Sequence, residues 1–327
     1  MCTLKVSIVI PVYNGITFLQ KTFSSIFEQT YQNIEVLAID DFSTDGSYEY
    51  LMKLQSMHSN LRLVRPKSKL YTASKGIEYA LNLLTGDYYF YMSQDDFMEK
   101  DLIEKCIKIA ESTDAEIVVP DCYSFYSENR IEKTSIYPCN NMEEIPPKDA
   151  FLLSLDWEIH GFTLRKTSLF KKTGFKGEYY NSDEYYTRLH FLNANKIVCS
   201  DAKFYYNQTN PNAITKKLKP NQTETMFTNL LLLDLLYKKC FDKKKLNEMK
   251  KKLRNQFLFW SVFYNRYGFN KEEQEIIQNN TDLAIKSYCT INEFTAMNKK
   301  IFVFFLKQEI ILRKFYRNLL GLLDVRK

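Results

Sequence analysis

The architecture of this chain is set by one short stretch, residues 34–41, which reads Ile34-Glu35-Val36-Leu37-Ala38-Ile39-Asp40-Asp41. Its apolar, β-branched part is typical of a strand that is covered on both faces, and it stops abruptly at two carboxylates. A similar apolar run occupies residues 5–12. Both runs predict buried strands of a sheet with helices on its two faces.

Helical patterns separate the strands on either side of this stretch. Apolar residues recur at helical spacing between Phe18 and Phe27, and the polar turn at residues 43–47 can cap a further helix. More strands are predicted at residues 61–64, 88–92 and 116–119, with helices at 72–84 and 99–111. This alternation predicts an α/β fold with a mostly parallel, doubly wound sheet.

Two of the predicted strands end in a pair of aspartates, Asp40-Asp41 and Asp95-Asp96. Ligands of open parallel sheets bind at the carboxyl ends of the strands, so we expect all four carboxylates at one edge. Like charges repel unless a positive group lies between them, and Mg²⁺ bound to phosphate takes one or two protein carboxylates. One pair alone fits a solvated turn or helix cap. Two pairs at matching positions predict a divalent cation, Mn²⁺ or Mg²⁺.

Three segments of the first fifty residues resemble the family 2 glycosyltransferases. Residues 7–15, 25–31 and 35–47 read SIVIPVYNG, SIFEQTY and EVLAIDDFSTDGS. The resemblance extends from about residue 6 to residue 206. It implies the A-type glycosyltransferase fold, a nucleotide-sugar donor and inversion at the transferred sugar, followed here by a C-terminal helical appendage.

The resemblance also implies a role for each matching residue. Pro11 and Tyr13 would form the shelf under the nucleotide base. Asp41 would accept a hydrogen bond from the imide N–H of uracil, which implies a UDP-linked donor. Asp96 is implied as the metal ligand, with Asp95 facing the ribose or the sugar.

The chain departs from the family pattern near the donor. Ser93 stands where an acidic residue is common, and Ala73-Ser74 stands where the family usually has Arg-Asn. Some phosphate or sugar contacts must therefore come from other residues, and the candidates are Lys69, Tyr71 and Lys75.

The acceptor side needs a general base, which typically contributes ~10²–10⁴-fold to the rate. Residues 181–189 resemble the family segment that opens a helix, and Asp183 falls at the position of the catalytic aspartate. Asp183 could instead simply cap the helix, and Glu184 is the second candidate for the base. Trp157 could border the acceptor pocket, although a tryptophan is more often a core residue, and His160 is better explained as a hydrogen-bonded structural histidine.

Composition limits where the protein works. Its 7 cysteines are scattered and never spaced C-x-x-C, which argues against a disulfide framework or a zinc site and indicates a reducing compartment. No run reaches the ~18 apolar residues that span a bilayer. The apolar run at residues 6–12 predicts a strand rather than a signal peptide. We therefore expect a cytoplasmic location.

Charge is unevenly distributed along the chain. Residues 213–327 carry 23 Lys and Arg against 11 Asp and Glu, while the whole chain carries 45 against 39. Lysine clusters there alternate with apolar stripes, which predicts basic amphipathic helices suited to an anionic membrane surface at the inner face of the plasma membrane. A bundle packed on the catalytic domain or on another subunit is the alternative. We predict a nucleotide-sugar-binding half (1–120), an acceptor half (121–215) and a basic helical region (216–327).

Together these features predict a hexosyl- or N-acetylhexosaminyltransferase. It would move a sugar from a nucleoside diphosphate donor to a hydroxyl of a glycan or lipid-linked acceptor, in surface polysaccharide or lipopolysaccharide synthesis. The alternatives are a non-catalytic sugar-nucleotide-binding scaffold and a nucleotidyltransferase. No G-x-G-x-x-G follows the first strand, which disfavours a dehydrogenase. Acidic strand ends would repel nucleic acid, so none is expected as a partner.

Overall fold

The structure is a computed structural model. It describes residues 4–135, 137, 140–213, 216, 218–263, 267–291, 300 and 302–312. The chain divides into two compact units, one formed by Met1–Glu178 and Ser182–Ala213, the other by Tyr179–Asn181 and Ile214–Lys327. The functional boundaries at residues 120 and 215 stay predictions.

The first unit contains a ten-stranded sheet. Its strands are β1 (Val6–Val12), β2 (Ile34–Asp40), β3 (Leu61–Val64), β4 (Tyr88–Tyr91), β5 (Phe97–Met98), β6 (Ile117–Ser127), β7 (Arg130–Lys133), β8 (Glu144–Ile145), β9 (Leu164–Lys166) and β10 (Ile197–Asn207). Their order across the sheet is β3-β2-β1-β4-β9-β6-β10-β5, with β7 paired to β6 and β8 to β10.

One side of the sheet, formed by β3, β2, β1 and β4, is parallel. β1 lies between β2 and β4, and Val6 is in register with Ile34 on one side and Tyr88 on the other. β9 is antiparallel to both β4 and β6. The predicted α/β fold is confirmed, but β5, β7, β8 and the inserted β9 are antiparallel to their neighbours and make the sheet mixed. A three-residue strand is too short to show a sequence pattern, so the insertion was not foreseen.

Seven helices accompany this sheet: α1 (Ile16–Phe27), α2 (Ser47–Met57), α3 (Ala73–Leu81), α4 (Leu102–Thr113), α5 (Pro147–Ser154), α6 (Thr167–Thr173) and α7 (Ser182–Asn193). Alternate residues of β1 contact different layers, because side chains of a strand point to opposite faces. Ile8 and Ile10 share a buried cluster with Phe23 of α1. Val9 lies in another cluster with Ile77 of α3. The continuous apolar run in β1 is therefore explained by burial on both faces.

The second unit is helical in its described part. It contains α8 (Thr225–Lys239), α9 (Lys243–Phe263) and α10 (Lys271–Ile291), and residues 302–312 are also helical. The apolar stripe of α9 faces its own unit: Phe257 and Trp260 are buried, and the Phe257 ring meets Tyr288 of α10 edge-on at 5.6 Å. Other apolar side chains, such as Phe304 and Phe305, are exposed.

Two further findings concern the predicted location. No helix among the described residues has the length and apolarity that crossing a membrane requires. In the part of the chain that the structure describes, four cysteines are free and buried (Cys106, Cys122, Cys240 and Cys289). Cys199 is disulfide-bonded, which the scattered spacing of the cysteines did not predict.

Candidate active site

The two acidic corners lie at one edge of the sheet, on either side of β1. Val12 at the end of β1 is in register with Asp40 at the end of β2, and its carbonyl accepts a 2.8 Å hydrogen bond from the Asp41 N–H. Asp95 and Asp96 follow β4, the parallel neighbour on the other side. Parallel pairing thus brings together side chains that are more than fifty residues apart in the sequence.

The two aspartates of the first corner have different partners. Asp40 is fully buried, and its Oδ2 accepts hydrogen bonds from Arg65 Nε at 2.8 Å and Nη2 at 2.7 Å. Asp41 accepts the backbone N–H groups of Leu70 at 2.5 Å and Tyr71 at 2.8 Å. Tyr71 has a φ of 69°, so Asp41 holds an unusual turn in the loop that leads into α3. Asp40 therefore stabilises the core of this corner, and Asp41 shapes its rim.

Tyr13 lies at this rim with 45% of its surface exposed. Its backbone is held by Gln94: the Tyr13 N–H donates to Oε1 at 2.9 Å, and Nε2 donates to the Tyr13 carbonyl at 3.0 Å. Lys69 Nζ lies 4.0 Å from the centre of the Tyr13 ring. A hydrogen bond with Tyr13 raises the pKa of Lys69 above its usual value, so this ammonium stays charged beside the ring. The edge therefore presents an aromatic face next to a cation.

Pro11 is packed against the start of α3. A Cβ built on Gly76 would lie 3.0 Å from the Pro11 Cβ, closer than ordinary contacts allow. Glycine at position 76 therefore lets the helix approach β1 directly. Lys75 and Tyr71 are exposed near this contact. The shelf predicted from Pro11 and Tyr13 is thus bordered by α3 and the loop before it.

Asp95 and Asp96 differ in accessibility. Asp96 is fully buried, and its Oδ1 accepts the Asn207 N–H at 2.9 Å. Asp95 is partly exposed and accepts a 2.7 Å hydrogen bond from Asn210 Nδ2. Burial, and then the charge of Asp95, raise the pKa of Asp96 well above its usual range. Asn207 at the end of β10 and Asn210 in the loop after it thus hold the two carboxyl groups by hydrogen bonds.

This pair fits a divalent cation that is also bound by substrate oxygens. Asp96 Oδ2 is buried and has no hydrogen-bond partner among the described residues, so a positive group beside it would relieve an unsatisfied acceptor. No cluster of three or more His, Cys, Asp or Glu side chains suited to a metal occurs in the described part of the chain. A cation here would need its remaining ligands from a diphosphate and water, as Mg²⁺ commonly does.

Asp183 lines a small cleft together with Tyr91, Trp157, His160, Glu184 and Arg188. Burial, and then the charges of Asp183, Asp96 and Asp95, raise the pKa of the Tyr91 hydroxyl. Tyr91 is the last residue of β4, four residues before Asp95, and it lines this cleft together with Asp183. The cleft and the acidic edge of the sheet are therefore adjacent.

The environment of Asp183 suits a proton acceptor. Burial, and then the charge of Glu184, raise its pKa from 3.8 to about 6. Ser74 Oγ donates a 2.9 Å hydrogen bond to Asp183 Oδ1. Glu184 instead forms an ion pair with Arg188, whose Nη2 also donates to the Ser154 carbonyl at 2.7 Å. Glu184 is thus committed to a structural contact, and the assignment of Asp183 as the base stays a prediction.

His160 and Trp157, the other two candidate residues of the cleft, have the following contacts. His160 Nδ1 accepts the Phe162 N–H at 3.1 Å, so Nε2 carries the proton and donates to the Pro120 carbonyl at 2.6 Å. Burial lowers the pKa of His160 to about 4. It is a neutral structural histidine. Trp157 lines the cleft with a φ of 62°, and its ring lies 6.4 Å from that of Tyr206.

Four site residues were missed or undervalued by sequence reasoning: Gln94, Ser74, Asn207 and Asn210. Each acts through hydrogen bonds to residues far away in the sequence, at separations of 81 to 115 positions. The only available signal was proximity to a motif, since Gln94 precedes Asp95 directly. Amide and hydroxyl side chains are so common at the ends of strands that their residue type alone does not identify them as site residues.

Comparison with known proteins defines the class. The profile of Glycosyl transferase family 2 matches residues 7–177, which is more than half of the 327-residue chain. The chain therefore belongs to this family, which confirms the resemblance seen in the sequence.

Individual relatives share part of the chain. Glycosyltransferase GlyA of Streptococcus pneumoniae is 27% identical over 216 residues, a match that spans 62% of this chain but 30% of GlyA. Glycosyltransferase GlyG of the same organism is 26% identical over 215 residues, spanning 61% of this chain and 69% of GlyG. The structure of S. aureus TarS residues 1–349 with UDP-GlcNAc has a TM-score of 0.66 at 17% identity, covering 95% of this chain and 89% of that one. At that identity, TarS shows a shared fold.

Proposed function

We propose that this protein transfers a hexosyl or N-acetylhexosaminyl group from a UDP-linked donor to a hydroxyl of a glycan or lipid-linked acceptor, with inversion. One observation carries the proposal. Asp183, with its pKa raised to about 6, lies in the same cleft as Tyr91. Burial, and then the charges of Asp183, Asp96 and Asp95, raise the pKa of the Tyr91 hydroxyl. A single displacement at the anomeric carbon needs a proton acceptor and a cation-bound diphosphate in one site, and Asp95 and Asp96 would hold that cation.

The donor half is residues 1–120, with Pro11, Tyr13 and Asp41 holding the nucleotide. Both oxygens of Asp41 already accept one backbone N–H each. A carboxylate has about four acceptor sites, so capacity remains for the imide N–H of uracil. The UDP-GlcNAc in the TarS structure supports a UDP-linked donor for this fold. Lys69 lies beside the Tyr13 ring, where its charge suits a phosphate of the donor.

Asp95 and Asp96 would hold the divalent cation, Mn²⁺ or Mg²⁺. Asp95 is the accessible carboxylate, and Asp96 contributes the unpaired Oδ2 behind it. When bound, the cation supplies positive charge to the departing diphosphate. The assignment of Asp96 as the direct ligand stays a prediction. Asn207 and Asn210 keep both carboxylates in place by the hydrogen bonds described above.

In the acceptor half, residues 121–215, Asp183 removes the proton from the acceptor hydroxyl as that oxygen attacks the anomeric carbon. The bond from this carbon to the diphosphate oxygen breaks on the opposite face, and the electron pair leaves with UDP. Trp157 offers an aromatic face to the acceptor sugar from the wall of the same cleft. Attack by one nucleophile without a covalent intermediate inverts the anomeric centre.

The same proposal places the protein in surface polysaccharide or lipopolysaccharide synthesis, at the inner face of the plasma membrane. The excess of lysine and arginine in residues 213–327 supports contact with anionic lipid. Lys244 and Lys251 of α9 are exposed, as contact with headgroups requires. A lipid-linked acceptor would then be held at the surface where the enzyme docks.

Substitution of Asp183 tests the reaction. Asp183→Asn should lower kcat by about 10²–10⁴-fold while UDP affinity stays unchanged, because only the proton acceptor is lost. Asp96→Asn should weaken transfer and also Mn²⁺-dependent donor binding. Asp149→Asn is the matched control, since Asp149 is an exposed aspartate in the first turn of α5. Transfer and UDP titration are measured for each variant.

The outcomes separate the alternatives. Wild-type transfer by Asp183→Asn would remove Asp183 as the base. Saturable, Mn²⁺-dependent UDP-sugar binding without transfer or donor hydrolysis by the wild-type protein would instead favour the non-catalytic scaffold.

A further inference from the structure

A buried serine joins the donor side of the cleft to the aspartate of α7. Ser74, in the first turn of α3, donates from Oγ to Asp183 Oδ1 at 2.9 Å. The Asp183 N–H donates back to the same Oγ at 3.3 Å. Ser74 has no exposed surface. A hydroxyl has one donor and two acceptor positions, and here a donor and an acceptor position are both used by Asp183.

A second contact fixes the same two helices. The Gly177 N–H, just before α7, donates to Glu78 Oε2 of α3 at 2.8 Å. A Cβ built on Gly177 would lie 2.7 Å from the Lys75 backbone nitrogen, so no other residue allows this approach. The segment that leads into α7 therefore lies directly on the start of α3. The hydrogen bonds between Ser74 and Asp183 thus accompany a close backbone contact between this segment and α3.

The same turn of α3 borders the donor shelf. Gly76, two residues after Ser74, lies against Pro11 of β1. Displacement of α3 by a bound donor would therefore be transmitted to Ser74 over half a helical turn.

We propose that Ser74 is a positioning residue, which orients the carboxylate of Asp183 toward the cleft and links that carboxylate to the donor shelf. The inference rests on the proposed function, in which Asp183 is the base. Ser74 stands where the family pattern usually has asparagine, so this chain keeps a polar group with donor and acceptor capacity at that position.

The charges around Asp183 agree with this role. Glu184 raises its pKa, while the Ser74 hydrogen bond and the charge of Arg188 lower it, with burial as the largest effect. Tyr91 faces it from β4, and its own pKa is raised by that charge. A hydrogen bond to the ionised form favours that form, so loss of the Ser74 hydroxyl should raise the pKa of Asp183 further.

Ser74→Ala tests the inference against a matched control. Ser7 is equally buried: its Oγ donates to Glu35 and accepts the Gly86 N–H at 2.9 Å, at the opposite edge of the sheet. Ser7→Ala therefore removes the same chemistry away from the site. Ser74→Thr keeps the hydroxyl and serves as the rescue variant. The readouts are the Asp183 titration, followed by ¹³C-carboxyl NMR, and the pH profile of kcat/KM.

In Ser74→Ala we expect the Asp183 titration and the acid limb of kcat/KM to move upward together by about one pH unit, from near pH 6 in the wild type. Ser74→Thr should restore both, and Ser7→Ala should change only thermal stability. An unchanged titration and acid limb in Ser74→Ala would overturn the inference, as would equal shifts in Ser7→Ala.

The NMR titration separates this inference from the proposed function. If no donor and acceptor support transfer by the wild type, the proposed function fails. The upward shift of the Asp183 titration in Ser74→Ala would still support the link between these residues, and its absence would still contradict it.

Discussion

Gln94 is the residue whose substitution best tests how the donor shelf is held. Its carboxamide makes reciprocal hydrogen bonds with the backbone of Tyr13, at 2.9 and 3.0 Å. Gly15 makes room for it, since a Cβ there would lie 2.4 Å from Gln94 Oε1. Gln94→Ala removes both hydrogen bonds and frees the Tyr13 backbone without touching its ring.

The expected effect follows from these two bonds. Each intramolecular hydrogen bond contributes about 0.5–1.5 kcal/mol, and bonds at an exposed backbone lie at the lower end because water replaces them. We therefore expect the free energy of unfolding to fall by about 1 kcal/mol, which lowers Tm by roughly 2–4 °C for a unit of this size. If Tyr13 binds the nucleotide base, we expect the free energy of UDP binding to weaken by a similar amount, which corresponds to about a fivefold weaker UDP affinity.

Thermal unfolding and titration with UDP measure the two effects separately. Gln29→Ala is the control, because Gln29 also bridges backbone groups: it donates to the Glu99 carbonyl at 2.7 Å and accepts the Ile103 N–H at 3.0 Å. That variant should lose stability but bind UDP like the wild type. Equal UDP affinity in Gln94→Ala and the wild type would refute the reasoning. Either Tyr13 would keep its position without the Gln94 hydrogen bonds, or Tyr13 would not bind the nucleotide base.

Two further substitutions probe the shelf and the basic region. Gly76→Ala places a Cβ 3.0 Å from the Pro11 Cβ. The higher helix propensity of alanine (about 1 kcal/mol) offsets most of the destabilisation from this crowding, so Tm should change little. UDP titration should nevertheless show weaker binding, because Pro11 is displaced. Unaltered UDP affinity would place Pro11 outside the shelf. Lys244→Glu with Lys251→Glu should reduce co-sedimentation with phosphatidylglycerol vesicles at low salt, whereas Lys53→Glu on α2 should not. Equal sedimentation with phosphatidylcholine vesicles would exclude electrostatic docking.

Much of the fold was predictable because its signals are local. β1 and β2 are continuous apolar runs, and their burial on both faces follows from that pattern. Three of the strands that the pattern did not reveal are very short, since β9 has three residues and β5 and β8 have two each; β10, with eleven, lies in a region of less regular pattern. Such short segments become strands by pairing with the strands beside them, so their conformation cannot be predicted from β-propensity alone.

The candidate site divides in the same way. Asp41, Asp95, Asp96 and Asp183 were named from motifs, and their roles as donor, metal and catalytic residues stay predictions. Their environments came from the structure. Nothing local in the sequence distinguishes a buried Asp96 from a partly exposed Asp95, because burial is set by β10 and the loop after it.

The sequence by itself determined the class of fold, the family and the acidic ends of β2 and β4, because periodicity and motifs are properties of neighbouring residues. Only the tertiary structure decided that Gln94 supports Tyr13 and that Ser74 meets Asp183, 109 positions away. Hydrogen bonds depend on the distance and direction between two groups in space. For residues far apart in the sequence, both quantities are set only by the folded sheet.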